Sequence, residues 1–188
     1  MIKIGITGSL SSGKTTASKI LSSSRGPLFS ADKAVKELYN NKSFKSLISK
    51  KFKLKNNNQI KKSIKKLVIG NKKNIKKLEK IIHPLVRKKM RNFTSKHRNK
   101  RLLFYEIPLL IESKLMKHFN VIIFIKANKQ LRLKRFKLKN GNKDLFNFLN
   151  EKQMTDVQKI KFCNYVVVNE KNLNFLKKSL FAIINKYE

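Results

Sequence analysis

The chain has 188 residues, with 46 Lys and Arg against 10 Asp and Glu and a formal net charge of +36, a length that suits one domain or a core carrying one inserted lobe. Hydrophobic residues make up 40%, enough for a true core, and the single cysteine excludes a disulfide framework or an all-thiolate zinc site. No apolar run approaches the roughly 20 residues that span a bilayer, so no membrane-spanning helix is expected. Met1-Ile2-Lys3-Ile4-Gly5-Ile6 is too short and too strand-like for a secretory signal, which points to a cytoplasmic protein.

In chain order, Ile2 to Ile6 reads as a buried strand that enters a glycine turn and then a helix from about Gly13 to Leu21. Pro27-Leu28-Phe29 is a short apolar piece leading into Ser30-Ala31-Asp32 and a helix with Val35 and Leu38. From Phe44 to about Lys100 the periodicity is helical, with Leu47, Ile48, Ile60, Ile64, Leu67, Leu78, Ile81 and Ile82 separated by lysines. Pro84, after His83, suits the first turn of a further helix carrying Val86 and Met90. Strand character returns at Leu102–Tyr105 and Val121–Ile125 as continuous apolar runs, the pattern of a parallel sheet covered on both faces. Helices are expected over Gln130–Lys139, ended by Asn140-Gly141, and over Lys143–Gln153. A last strand, Tyr165–Val168, precedes a helix around Leu173, Leu176 and Leu180, and Asn56-Asn57-Asn58 is expected to be a loop. Strands alternating with helices, interrupted by an all-helical stretch, predict a three-layer α/β/α core with a helical insertion.

Gly8-Ser9-Leu10-Ser11-Ser12-Gly13-Lys14-Thr15 satisfies G-x-x-x-x-G-K-[ST] between a strand and a helix, where the motif must lie. The glycines let successive N–H groups turn inward onto phosphates, and the helix N-terminus adds partial positive charge. Lys14 then reaches the β- and γ-phosphates and the Thr15 hydroxyl ligates Mg²⁺. ATP or GTP binding follows, and the lack of an Asn/Thr-Lys-x-Asp guanine signature weakens the GTPase reading. The charge adds only that the ligand is anionic. Lysines run from Lys3 to Lys186 without one basic block, so a solvated, composition-driven surface is preferred to a nucleic-acid groove.

A small kinase needs an acceptor lobe, a base near the acceptor hydroxyl and a mobile cationic lid. Residues 36–100 are the candidate lobe, and a lid is expected over about 132–153, between core segments 1–35, 101–131 and 154–188. Asp32 reads equally as the base or as a helix N-cap. Arg132, Arg135, Lys137 and Lys139 read either as lid cations or as another solvated face. Cys163 is read as packing, His97 and His118 as surface or helix-end residues, and Phe146 and Phe148 as core or lobe contacts. Other small-molecule P-loop kinases, or an ATP-dependent nucleic-acid-binding protein, are the alternatives on these features.

The chain also resembles the dephospho-coenzyme A kinase family over nearly its whole length. The resemblance rests on Ile4–Gly8 with the phosphate loop, Ser30-Ala31-Asp32 (Asp-Ala-Asp in the family), Ile82-His83-Pro84-Leu85-Val86-Arg87 (His-Pro-x-Val-Arg) and Glu106-Ile107-Pro108-Leu109-Leu110-Ile111-Glu112 (Asp-x-Pro-Leu-Leu-Phe-Glu). Gln153 and Asn169 fit as well. The resemblance implies transfer of the ATP γ-phosphate to the ribose 3′-hydroxyl of dephospho-coenzyme A, with Mg²⁺, by a monomer or weak homo-oligomer that needs no specific nucleic acid. It implies Asp32 as general base and Gly8 to Thr15, Thr16, Arg135, Lys139 and Asn169 as the ATP site. It places His83, Arg87, Pro108 and Leu109 toward the acceptor and Glu106 near the metal, with His83 open to a second role in shaping a helix start. Ser30 removes one carboxylate of the family motif, and Lys139 stands where arginine is common, keeping the charge without the planar fork.

Overall fold

The structure is a computed structural model that describes residues 1–55, 57, 59–69 and 71–188. The asparagine loop expected at 56–58 lies outside these, Asn57 excepted. In chain order the elements are β1 (Ile2–Gly8), α1 (Lys14–Ser22), β2 (Leu28–Ser30), α2 (Ala31–Leu38), α3 (Lys42–Phe52), α4 (Ile60–Val68) and α5 (Lys72–Lys96). Then follow β3 (Leu102–Glu106), β4 (Val121–Lys126), α6 (Lys129–Lys137), α7 (Lys143–Glu151), α8 (Asp156–Ile160), β5 (Tyr165–Val168) and α9 (Leu173–Ile184). The short α8 and a 3-10 turn at Met116–His118 are additions to the elements expected from sequence.

The five strands form one sheet in the order β2-β3-β1-β4-β5, and every pairing is parallel. A parallel sheet must be covered on both faces, which is why β3 is buried at every residue and β4 at all but Lys126. Side chains alternate across it. Ile4, Ile6, Phe104, Ile123 and Val167 meet Ala17 and Leu21 of α1 and Leu176 and Leu180 of α9. Each such buried aliphatic or aromatic side chain stabilises by about 1.5–3 kcal/mol. The chain leaves β1 toward β2 on one side and reaches β4 on the other. The carboxyl ends of the strands flanking β1 are therefore the topological switch point, where ligands bind in such sheets.

Two compact units are present, Met1–Ser30 with Lys96–Glu188, and Ala31–Ser95. The second holds α2 to α4 and nearly all of α5 around its own core of Leu38, Tyr39, Phe44, Ile48, Ile60 and Ile64. Asparagine, abundant in the sequence, caps helices in both units. Asn41, Asn128, Asn142 and Asn172 each accept a hydrogen bond from the third helical N–H, a contact of about 1 kcal/mol each. No helix among the described residues is long and apolar enough to cross a membrane.

One helix start is corrected. Pro84 lies in the interior of α5, and the helix runs through it from Lys72 to Lys96 instead of beginning there. Proline removes the N–H that would bond the carbonyl of Lys80. Both Lys80 and Pro84 are exposed, one turn apart, so solvent can satisfy that carbonyl and the helix continues. Pro84→Ala is expected to stabilise the protein by about 1–2 kcal/mol, the interior helix cost less the lost restriction of the unfolded chain. Chemical denaturation measures it.

Cys163 is a partly buried residue beside β5 whose thiol donates to the Lys159 carbonyl at 3.3 Å. Burial pushes that thiol from 9.0 up to about 11, against the opposing charge of Lys159. At pH 8 the thiolate fraction falls about 100-fold below that of an ordinary thiol. Iodoacetamide labelling of the folded protein should be slower by about that factor, and denaturant should abolish the difference.

Candidate active site

The phosphate loop closes β1 onto α1, and its two glycines are required by geometry. Gly8 has φ 150°, and a Cβ there would lie 2.3 Å from the Ile125 carbonyl oxygen of the neighbouring strand. Gly13 caps α1 at φ 99° and ψ 18°, a left-handed conformation. The first bond of the helix runs from the Ala17 N–H to the Gly13 carbonyl at 3.0 Å. The N–H groups of Lys14, Thr15 and Thr16 therefore have no acceptor within the helix and form an anion site at its positive end. Between the glycines the loop folds on a Ser12 N–H to Ser9 carbonyl bond of 3.1 Å, with Ser11 in the left-handed region at φ 58°. Lys14 curls back over this loop, its Nζ donating to the Ser9 carbonyl at 2.8 Å.

Parallel register brings a carboxylate to the same edge. Ile6 of β1 pairs with Glu106, the last residue of β3, and Ser30 of β2 pairs with it from the other side. Glu106 is buried, and its Oε1 accepts the Thr15 hydroxyl at 2.5 Å. A hydroxyl and a carboxylate are hard oxygen donors that fit Mg²⁺. No group of three or more His, Cys, Asp or Glu side chains gathers among the described residues. Such a cation would take its other oxygens from phosphate and water, the usual arrangement for Mg²⁺ in kinases.

The rim of the loop is held from outside. Asn169, just past β5, donates from Nδ2 to the Ser12 carbonyl at 2.8 Å. Arg135 donates to the Asn169 carbonyl at 3.0 Å and to the Ser12 carbonyl at 3.4 Å. Ser12 Oγ is buried and makes no hydrogen bond among the described residues. Of the two readings of the α6 cations, lid or solvated face, the solvated face is excluded for Arg132, which is only 6% exposed. Its guanidinium donates to the Ala127 carbonyl at 3.1 Å, to Asn150 Oδ1 at 2.7 Å and to the Leu10 carbonyl at 3.5 Å. Burial pushes this guanidinium below its ordinary value, and Asp156 pulls it back up. Lys139 lies beyond the end of α6 and is exposed.

Four further contacts in this unit involve residues outside the phosphate-loop motif. Gln153 Oε1 accepts the Leu10 N–H at 3.2 Å, and Asp156 Oδ1 accepts the Ser9 hydroxyl. Lys159, fully buried, pairs with Glu112 Oε1 at 2.7 Å and donates to Gln153 Oε1 at 3.3 Å. The available signal was Thr155-x-x-Gln158, a capping box that starts α8 and fixes Asp156 in its first turn.

Of the residues assigned to the acceptor, Pro108 and Leu109 follow β3 in the same unit as the loop, and the Pro108 carbonyl accepts the Thr7 hydroxyl at 3.1 Å. Asp32, His83 and Arg87 belong to the other unit. Asp32 is exposed and lies in the first turn of α2 as its second residue. His83 and Arg87 are one turn apart on α5, flanking Pro84. Phe146 is fully buried with its ring 5.7 Å from that of Phe136, and Phe148 lies under the Lys152 ammonium at 5.1 Å.

A family model described as dephospho-CoA kinase matches residues 2–174. Among curated relatives, the dephospho-CoA kinase of Bartonella quintana is 33% identical over 96% of this chain and 95% of its own. That of Fusobacterium nucleatum is 31% identical over 94% of both. Among solved structures, the dephospho-CoA kinase from Campylobacter jejuni superposes with a TM-score of 0.69 at 27% identity, over 98% of this chain and 96% of that one. The Thermus thermophilus protein TT1252 gives 0.85 at 25% identity, over 100% and 98%. A shikimate kinase from Acinetobacter baumannii, at 15% identity and a TM-score of 0.56 over 99% and 94%, shares the fold. The chain belongs to the dephospho-CoA kinase family, ATP-dependent enzymes that transfer phosphate to an alcohol.

Proposed function

We propose that the chain transfers the γ-phosphoryl group of ATP to the ribose 3′-hydroxyl of dephospho-coenzyme A, giving coenzyme A and ADP. The observation that carries this reading is the Thr15–Glu106 pair beside the phosphate loop, in a chain whose match to the family model runs from residue 2 to 174. The N–H groups at the start of α1 and the Lys14 ammonium bind the ATP phosphates. For that, Lys14 exchanges the Ser9 carbonyl for a phosphate oxygen. Thr15, and Glu106 through water, would hold Mg²⁺, which when bound with ATP neutralises phosphate charge. Arg135, with Lys139, supplies positive charge to the transferring phosphoryl group as residues 132–153 close over the nucleotide.

Asp32 acts as the base. As the 3′-oxygen bonds to the γ-phosphorus, its proton passes to the Asp32 carboxylate, the bond from the γ-phosphorus to the bridging oxygen breaks, and ADP leaves. Ser30, the last residue of β2, leaves Asp32 as the carboxylate of its motif. Arg87 contacts an acceptor phosphate, His83 lies beside it on α5, and Pro108 and Leu109 contact the acceptor. The reading takes ATP, Mg²⁺ and dephospho-coenzyme A as partners, needs no nucleic acid, and suits a monomer or weak homo-oligomer in the cytoplasm.

Asp32→Ala should lower kcat by about 10²–10⁴-fold while KM for ATP changes little, measured as ADP release with and without dephospho-coenzyme A. Turnover at the wild-type rate in that variant would move the base elsewhere. Gly13→Ala should weaken ATP binding by about 10–100-fold in isothermal titration, since it places a side chain at φ 99°, a strain of about 1–3 kcal/mol, with its Cβ 2.1 Å from Asn169 Nδ2.

A further inference from the structure

The contacts of residues 153–159 assign a role to a part of the molecule that neither chemistry nor substrate binding requires directly. Ser9 and Leu10 form the half of the phosphate loop that precedes its anion-binding turn. The Leu10 N–H points at Gln153 Oε1, 3.2 Å away, and its carbonyl lies 3.5 Å from Arg132 Nη1. The Ser9 hydroxyl donates to Asp156 Oδ1. Both neighbours of the Gln153 amide oxygen, the Leu10 N–H and the Lys159 ammonium at 3.3 Å, are donors. That fixes which end of the amide faces the loop.

Lys159 is the reason the amide stays there. It is fully buried, and its charge is matched by Glu112 Oε1 at 2.7 Å. Glu112 Oε1 also accepts the Met154 N–H at 3.3 Å, so the pair ties the backbone next to Gln153 to the segment that follows β3. A buried ammonium with a fixed partner has little freedom to turn away, and it polarises the Gln153 oxygen that it holds.

We propose that Lys159, Glu112 and Gln153 are positioning residues for ATP binding. They hold Leu10, and with Asp156 on Ser9 they keep the loop in its phosphate-ready shape whether or not Lys14 is bonded to the Ser9 carbonyl. When phosphate arrives, Lys14 leaves Ser9, and the loop loses a bond that otherwise braces it from within. The outer tether supplies that brace, so ordering of the loop is not charged against binding of the nucleotide. This rests on the reading of the loop as the ATP site. The tether acts alike on bound ATP and on the transition state, so its loss shows in affinity and not in kcat.

The test uses Gln153→Ala, which deletes the acceptor, and the double variant Lys159→Met/Glu112→Gln, which removes both buried charges together so that neither is left uncompensated. Titration calorimetry with Mg-ATP and no acceptor should show about tenfold weaker binding in each, the loss of one preorganising hydrogen bond. In steady state, KM for ATP should rise by a similar factor, with kcat and KM for dephospho-coenzyme A within about twofold and the thermal midpoint of Gln153→Ala within a few degrees. ATP affinity unchanged in Gln153→Ala would overturn the inference. So would a fall in kcat and in both affinities that tracks a lowered thermal midpoint, since that marks a structural role alone. A wild-type protein that binds ATP without phosphorylating dephospho-coenzyme A would refute the proposed reaction, while the calorimetric comparison would still decide this inference.

Discussion

A loop that turns its N–H groups inward toward an anion turns its carbonyls and side chains outward, where they need partners of their own. Much of the larger unit is arranged to meet that need. Ser12 is held through its carbonyl by Asn169 and Arg135, Leu10 from both sides by Gln153 and Arg132, and Ser9 by Asp156. These groups come from three separate stretches of chain after β4, so the phosphate site is closed by the second half of the protein although its motif lies at the start of the first half. The parallel register of β1 with β3 adds Glu106 at the same edge. Gly8 exists because β4 passes too close for a side chain there.

Charge is spent unevenly in this molecule. With ten acidic residues against 46 basic ones, most lysines have no carboxylate to meet and face solvent. Three of the ten carboxylates nonetheless sit around the phosphate loop: Glu106 on Thr15, Asp156 on Ser9 and Glu112 under Lys159. Exposed pairs such as Lys89–Glu37 contribute little to stability, about 0–1 kcal/mol. The carboxylates near the loop matter because they are sheltered and hydrogen-bonded.

The parts of this arrangement that local pattern encodes were legible. Continuous apolar runs marked β3 and β4, and the glycine spacing with its strand and helix marked the loop and Lys14 and Thr15. Pro84 misled because a proline at a helix start and one on the solvent side of a helix look alike in sequence. The difference lies in the exposure of Lys80, which depends on how α5 packs. Arg132 stayed open between two readings for a related reason. Among so many cations on α6, periodicity does not tell which one turns inward, and the acceptors that hold it are the carbonyls of Ala127 and Leu10 and the amide of Asn150. The Lys159–Glu112 pair joins residues remote in sequence, and no local rule links them.

The insertion of the helical unit between β2 and β3 also sets a timetable. Ile2 pairs with Leu102, and Ile4 with Val121, so the central strand leaves the ribosome long before either neighbour exists. At about 5–20 residues per second, β1 waits on the order of 5–20 s for β3. Ala31–Ser95, a compact unit of its own, is synthesised within that interval. An apolar strand with both edges open is the aggregation-prone species during synthesis, and Lys3 within β1 places a charge on it for that period.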